Sequence, residues 1–174
     1  MCLKLSEDFD RRYPEEREIY CKIVGITRVE NIAEAIRSLN FTVLMEEIEG
    51  DDVDIWVYRG EELVLVIEVL NWKESVYMDF NRVKSIIQNF SDSKYSNSKK
   101  LLVYSFDTNI KNQIKFFKDF DIDFLEIGFQ TQPVDYYKYY SFLGRASGMR
   151  PDNSETKQIE KDKIIAYLRN IGLI

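Results

Sequence analysis

The strongest hydrophobic pattern in the chain lies between residues 53 and 70, where two apolar stretches flank a short polar one. In residues 53–58 aliphatic residues alternate with an acid and two aromatic residues, which is typical of a strand with one buried face. Residues 59–62 are polar, contain a glycine and predict a tight turn. Residues 63–70 are apolar except for Glu68, as in a strand that is buried on both faces.

Similar patterns predict the elements on either side of these two strands. Apolar residues spaced three and four apart predict helices at residues 27–40, 80–90, 109–120 and 156–170, and Pro14 followed by glutamates predicts the start of a helix at residues 14–24. Further strands are predicted at residues 41–45, 101–106 and 122–127. Gly25 is expected to end the first helix, and Thr27 with Glu30 forms the capping-box pattern of a second helix. A helix between the last two strands predicts that they are parallel.

The length of 174 residues suits a single domain, 1–174, with a core of its own. Within it we distinguish a helical lead-in at 1–26, a core at 27–128, and an aromatic segment with a C-terminal helix at 129–174. No apolar run approaches the roughly 20 residues that span a bilayer. The charged N-terminus does not resemble a secretory signal, so we expect no membrane association and a cytoplasmic protein.

Composition restricts the chemistry that the chain can perform. The sequence contains no histidine, which excludes histidine-based triads, general bases and metal ligands. Its net charge of −6 argues mildly against a general nucleic-acid binder, because neutralising phosphates requires lysine and arginine. Cys2 and Cys21 lack the spacing of a metal site and suit a reducing compartment. Catalysis must therefore use carboxylates, lysine, tyrosine or a metal bound by carboxylates.

Two acids interrupt the central strands. Glu68 lies within the apolar run and Asp54 lies near the start of the preceding strand. Taken singly, Asp54 is best explained as a surface carboxylate at a strand end, and Glu68 as half of a buried ion pair, because an uncompensated buried charge is costly. Taken together on adjacent strands, they favour a divalent metal site.

This arrangement resembles the core of the PD-(D/E)xK nuclease superfamily, over residues 29–127. Asp54, thirteen further residues and then Glu68-Val69-Leu70 match the family's Asp at the start of the second core strand and its Glu-x-Lys in the third. The string IEVLNW is also similar to the IEVKNW-like strings of that family. The resemblance implies an α/β, restriction-endonuclease-like α-β-β-β-α-β core with a mixed central sheet flanked by helices, here followed by a C-terminal helix.

The resemblance also implies a function, namely metal-dependent hydrolysis of DNA phosphodiester bonds by a resolvase-like or restriction-like endonuclease. Asp54 and Glu68 would be catalytic and would bind Mg²⁺ or Mn²⁺, with the carbonyl of Val69 as a further ligand. Glu34 of the first core helix is a candidate for an additional ligand, although a solvated helix face explains it as well. DNA and a second copy of the chain are the expected partners, and no small-molecule cofactor is expected.

The departure from the family pattern is Leu70, which occupies the position of the catalytic lysine. Lys73, three residues further on, and Lys84, in the following helix, are candidates to replace it. The alternative is a catalytically inactive module that binds nucleic acid or a protein partner.

Basic and aromatic residues suggest where a partner would bind. Lys99, Lys100 and Arg145 are candidates for contacts with nucleic-acid phosphates. Residues 136–150 alternate aromatic and basic residues, which suits stacking on single-stranded bases or, as we favour, the core of a homodimer interface. Asp51 and Asp52 are either supporting groups for the metal site or part of an acidic turn.

Overall fold

A computed structural model of the chain describes residues 14–46, 52–71, 78–105, 110, 113–128, 130–132, 149–151 and 154–174. Its helices are α1 (Pro14–Arg37), α2 (Phe80–Phe90) and α3 (Ser154–Asn170). Its strands are β1 (Thr42–Met45), β2 (Ile55–Arg59), β3 (Glu62–Leu70), β4 (Lys99–Ser105), β5 (Ile122–Gly128), β6 (Gln130–Gln132) and β7 (Met149–Pro151). Predictions for Asp51, Lys73, Arg145 and the aromatic residues 136–148 fall outside the described residues.

The central sheet has five strands in the order β1-β2-β3-β4-β5. β1, β2 and β3 pair antiparallel in chain order, whereas β3, β4 and β5 pair in parallel. This confirms the predicted mixed sheet and the parallel pairing of the last two core strands. A separate pair, β6 and β7, forms a small parallel sheet. The main elements follow the order α-β-β-β-α-β-β-α, an α/β fold with flanking helices and a C-terminal helix.

Helices cover both faces of the sheet. One face, which we call the α1 face, packs against α1 and α3, and the other, the α2 face, packs against α2. Along β3, Leu65, Ile67 and Val69 belong to the core of the α1 face, while Val66 and Leu70 belong to the core of the α2 face. The period of two therefore directs Glu68 to the α2 face.

The prediction of two helices in residues 14–40 was wrong. α1 is one helix of 24 residues, and Gly25 lies within it. Thr27 is buried in the helix interior and therefore does not cap a helix start. A glycine costs a helix interior only about 1 kcal/mol relative to alanine, which the buried contacts of Thr27 and Arg28 outweigh. α1 ends at Arg37, and a turn follows in which Asn40 has a φ of 66°.

The predicted helix at 109–120 is replaced, in its described part, by two 3₁₀ turns, Ile114–Phe116 and Lys118–Phe120. Ile110, Gln113 and Phe117 are buried, and the side chain of Gln113 donates to the carbonyl of Met78 at 3.1 Å. Because residues three apart lie on one side in 3₁₀ turns and nearly so in an α-helix, the hydrophobic spacing did not distinguish them.

In α3, Ile164, Tyr167 and Leu168 are buried as predicted, but Ile159 is exposed and its neighbour Glu160 is buried instead. The reason is an ion pair that Glu160 forms with Arg28 of α1. Among the described helices, none has a stretch both long and apolar enough to cross a membrane.

Candidate active site

The register of the sheet brings three acids side by side. Ile55 of β2 pairs with Met45 of β1 and with Ile67 of β3, and these residues lie on the α1 face. Side chains alternate between faces, so the neighbours of these residues, Glu46, Asp54 and Glu68, point to the α2 face. The backbone N–H of Glu46 donates to the carbonyl of Asp54 at 3.0 Å, which continues the pairing by one residue. We call the resulting set the acidic row; it consists of Glu46, Asp54 and Glu68.

Asp54 is held by the strand that carries Glu68. Its Oδ2 accepts the backbone N–H of Val69 at 2.6 Å. A carboxylate that accepts a backbone N–H is fixed in orientation, and such charge-assisted bonds are short and comparatively strong. Val69 therefore takes part through its N–H, and the ligand role of its carbonyl stays a prediction.

Glu68 is the most buried member of the acidic row, with 2% of its surface exposed. Its Oε1 forms an ion pair with Nη2 of Arg82 at 2.5 Å. Its Oε2 is buried, and no hydrogen-bond donor reaches it among the described residues. Burial, together with the negative charge of Asp54, raises the pKa of Glu68 well above its ordinary value of 4.5, against the opposing effect of Arg82.

The donor set suits a hard divalent cation. Among the described residues, no three carboxylates, thiols or imidazoles are arranged to hold a metal ion together, so the acidic row is not a three-ligand site. Mg²⁺ does not require one, since proteins usually hold it with one or two carboxylates, waters and substrate phosphates. The carboxylate of Asp54 and Oε2 of Glu68, which accepts no hydrogen bond from the described residues, are oxygen donors of this kind.

Within the part of the chain that the structure describes, the cation that contacts Glu68 is Arg82 and not the predicted Lys84; Lys73 lies outside that part. Leu70 is enclosed in the core of the α2 face. Lys84 is exposed, with its Nζ 4.8 Å from the centre of the Phe80 ring. Residues two apart on a helix point in nearly opposite directions, so α2 cannot direct Arg82 and Lys84 to the same carboxylate. The contacts therefore favour Arg82 as the positive group of the site.

The remaining predicted residues lie apart from the acidic row. Glu34 belongs to α1, on the opposite face of the sheet; it is 76% exposed, and Nζ of Lys157 lies 4.0 Å from it. Lys99 and Lys100 begin β4, and Lys99 is exposed while Lys100 is half-buried. The structure thus brings Asp54, Glu68 and Val69 together and leaves Glu34 outside.

Asp52 fixes the segment that leads into Asp54. Its carboxylate accepts a hydrogen bond from the hydroxyl of Tyr95 at 2.6 Å and forms an ion pair with Lys94. Its backbone N–H donates to Oε1 of Glu46 at 2.7 Å. Burial alone would raise the pKa of Asp52, but the hydrogen bonds from Lys94 and Tyr95 bring it below its ordinary value. Asp52 therefore holds the segment before Asp54, and its role as a supporting group of a metal site stays a prediction.

A second polar cluster ties the end of β3 to the C-terminal helix; we call it the Arg28 network. Arg28 is 1% exposed and donates to Glu160, Ser105 and Thr131 at 2.7–2.9 Å. Asn71, directly after β3, exchanges hydrogen bonds with the backbone of Thr131: its amide donates at 2.6 Å and its oxygen accepts at 2.9 Å. The network therefore fixes the chain three residues beyond Glu68.

Sequence analysis missed Arg82 and Glu46, although a signal existed for Arg82. Arg82 lies in the first turn of α2, three residues after the N-cap Asp79, where the helix dipole disfavours a cation. A cation in that position implies a compensating anion. Glu46 follows β1 directly, but its position opposite Asp54 depends on the β1–β2 register, which the hydrophobic pattern alone does not determine.

No family model, curated protein or solved structure matches the chain. The case for a function therefore rests on the geometry of its own residues.

Proposed function

We propose that the chain is a metal-dependent nuclease of restriction-endonuclease-like fold that hydrolyses DNA phosphodiester bonds. The observation that carries this proposal is the position of Asp54 beside Glu68, at the start of β2 and within β3. The Oε2 of Glu68 is buried and accepts no hydrogen bond from the described residues. The order of elements and the mixed sheet are compatible with that fold family.

Asp54 and Glu68 would hold Mg²⁺ or Mn²⁺ at the edge where β2 begins. The bound cation would polarise the phosphodiester and stabilise the charge that develops on its oxygens. Val69 keeps Asp54 in place through its N–H. Arg82 supplies the positive charge that Leu70 cannot, and its guanidinium is suited to bidentate contact with a phosphate. Arginine does not lose its proton in proteins, so Arg82 binds and orients rather than acting as a base.

The partner in this proposal is DNA. The exposed Lys99 and the half-buried Lys100 support a role in phosphate contact, since phosphates are held mainly by lysine and arginine. A homodimer would place two such sites on the two strands of a duplex, and this assembly is part of the proposal.

Cleavage of defined DNA substrates tests the proposal. Purified protein is incubated with single-stranded, duplex, flapped and four-way-junction DNA in Mg²⁺ and in Mn²⁺, beside Asp54→Asn and Glu68→Gln variants. We expect cleavage by the wild type that requires the metal and is lost in both variants. Cleavage that persists in both variants, or no cleavage of any substrate by folded protein, would refute it.

A second candidate is an inactive module of the same fold that binds nucleic acid or a protein partner. It is favoured by the enclosure of Leu70 and by the ion pair through which Arg82 already compensates Glu68. Such a protein needs no metal, so it would bind DNA equally well in EDTA and in Mg²⁺ and would bind Mn²⁺ weakly or not at all.

A further inference from the structure

The ion pair between Arg82 and Glu68 joins two groups in different surroundings. Glu68 is almost fully buried, whereas 31% of the Arg82 side chain is exposed. The carboxylate is fixed within β3, and the guanidinium reaches it from the first turn of α2. Of the two partners, Arg82 is therefore the one that can move without disturbing the sheet.

A divalent cation at Glu68 would compete with this ion pair. Arg82 occupies Oε1 of Glu68 at 2.5 Å, and a cation between Asp54 and Glu68 would place two further positive charges beside the guanidinium. Like charges in a largely buried setting repel strongly, so Glu68 cannot bind the divalent cation and the Arg82 guanidinium with full affinity at the same time. The first turn of α2 adds to this repulsion, because the helix N-terminus carries partial positive charge.

We propose that Arg82 is the internal counter-ion of the candidate site: it compensates Glu68 in the metal-free protein and leaves it when a divalent cation binds, becoming available to the phosphate of the nucleic acid. This inference rests on the proposed nuclease function and concerns the regulation of the same site. An arginine suits this role better than a lysine: its guanidinium carries several donors in one plane, of which Nη2 meets Oε1 of Glu68 in this structure, and the same group can bind a phosphate in the other state. Metal loading and phosphate binding are then coupled through one side chain.

Metal affinity tests the inference directly and independently of activity. Binding of Mn²⁺ alone is measured by calorimetry at pH 8 for the wild type, Arg82→Met, Lys84→Met and Glu68→Gln. Lys84→Met is the matched control, because it removes a cation from the same helix on the side facing Phe80. Removing a competing charged hydrogen bond should tighten Mn²⁺ binding of Arg82→Met at least about tenfold. Lys84→Met should bind like the wild type, and Glu68→Gln should lose binding.

A spectroscopic readout follows the side chain itself. The Nε–H resonance of Arg82, assigned by its absence in Arg82→Met, should shift on titration with Mg²⁺ in the wild type and remain unchanged in Glu68→Gln. If Arg82→Met does not fold, Arg82→Lys serves instead; its shorter side chain should hold Glu68 less well and give a smaller tightening in the same direction.

Each outcome separates this inference from the proposed function. Equal or weaker Mn²⁺ binding by Arg82→Met, with DNA cleavage by the wild type, would overturn the counter-ion role and leave the nuclease intact. Mn²⁺ binding by Arg82→Met but not by the wild type would overturn the release of Arg82 by the metal, because Arg82 would then block the site, and would argue against cleavage by the native chain. Wild-type affinity in Glu68→Gln would overturn both, because the ion would then bind elsewhere.

Discussion

The backbone N–H of Val69 donates to Oδ2 of Asp54 at 2.6 Å, so the acid ahead of β2 is held by the strand that carries Glu68. The paired part of β2 begins at Ile55, opposite Ile67. If β2 began earlier, a backbone carbonyl of β2 would accept the N–H of Val69. In this structure the Asp54 side chain accepts it instead. The spacing between Asp54 and Glu68, the two candidate ligands, is therefore determined by the distance between β2 and β3 and not by the conformation of a loop.

Replacing Asp54 by asparagine should abolish metal-dependent function while leaving the fold. Asparagine retains an oxygen for the Val69 N–H but lacks the negative charge, so we expect DNA cleavage in Mg²⁺ to fall at least about a hundredfold. Loss of the charge-assisted bond should lower the free energy of unfolding by about 1 kcal/mol. Cleavage rates and urea unfolding measure the two effects.

The exposed Asp119→Asn variant is the matched control for this change and should behave like the wild type in both measurements. An Asp54→Asn protein that is well folded and fully active would show that Asp54 is only a strand-end carboxylate.

The position of Asp54 opposite Glu68 was only partly predictable. Alternation and a central turn correctly predicted two paired strands. The register, however, shifts at a bulge between Val57 and Tyr58. Without that bulge, the pairing of Tyr58 with Leu63 would continue to place Asp54 opposite Ile67 and not Glu68. Hydrophobic patterns do not encode a single-residue bulge, so sequence identified the acids but not how they meet.

The polar contacts were less predictable than the strands. Arg28 and Glu160 are separated by 132 positions in the chain, and no local pattern links them. Arg28 instead appeared to belong to a helix start, because the capping-box pattern placed a boundary at Thr27. A local pattern of polar residues therefore predicted the wrong helix boundary, because contacts between this helix and other elements outweigh the cost of Gly25.

The stability of the protein should depend on pH through Glu68. Because burial raises the pKa of Glu68 in the folded state, the folded protein binds this proton more tightly than the unfolded chain does. The stability that protonated Glu68 contributes is therefore present at low pH. It is lost as the pH rises from about 4.5 through the higher pKa that Glu68 has in the folded state. Relative to Glu68→Gln, the wild type should lose up to about 1.4 kcal/mol per pH unit within this window.

Urea unfolding of both proteins in EDTA, from pH 5 to pH 8, measures this difference. Glu155→Gln, at an exposed position in α3, is the control and should parallel the wild type. Parallel curves for the wild type and Glu68→Gln would mean that Glu68 titrates alike in the folded and unfolded states.

Removing one partner of the Arg28 network should be strongly destabilising. Arg28→Met leaves the buried Glu160 carboxylate without its ion-pair partner, and loss of one member of a buried pair costs about 3–5 kcal/mol. The double variant Arg28→Met/Glu160→Leu should recover part of that loss, because no unpaired charge remains. Urea unfolding provides the measurement.

Lys157→Met is the matched control, since Lys157 faces Glu34 between the same two helices but both side chains are exposed. Exposed ion pairs contribute about 0–1 kcal/mol, so its effect should be small. Equal effects of Arg28→Met and Lys157→Met would show that burial of the network contributes little to its strength.

Restoring the lysine of the family pattern should not create a better enzyme. Leu70 packs in the core of the α2 face with Val66, Met78 and Val83, so Leu70→Lys would bury an amine among apolar side chains. We expect the free energy of unfolding to fall by at least about 2 kcal/mol, from lost packing and the cost of the buried charge. Cleavage should not exceed that of the wild type, because the guanidinium of Arg82 is already present at the site. Leu70→Met, which conserves volume, is the control and should cost less than about 1.5 kcal/mol. A stable, more active Leu70→Lys protein would instead identify the native chain as a nuclease disabled by a single residue.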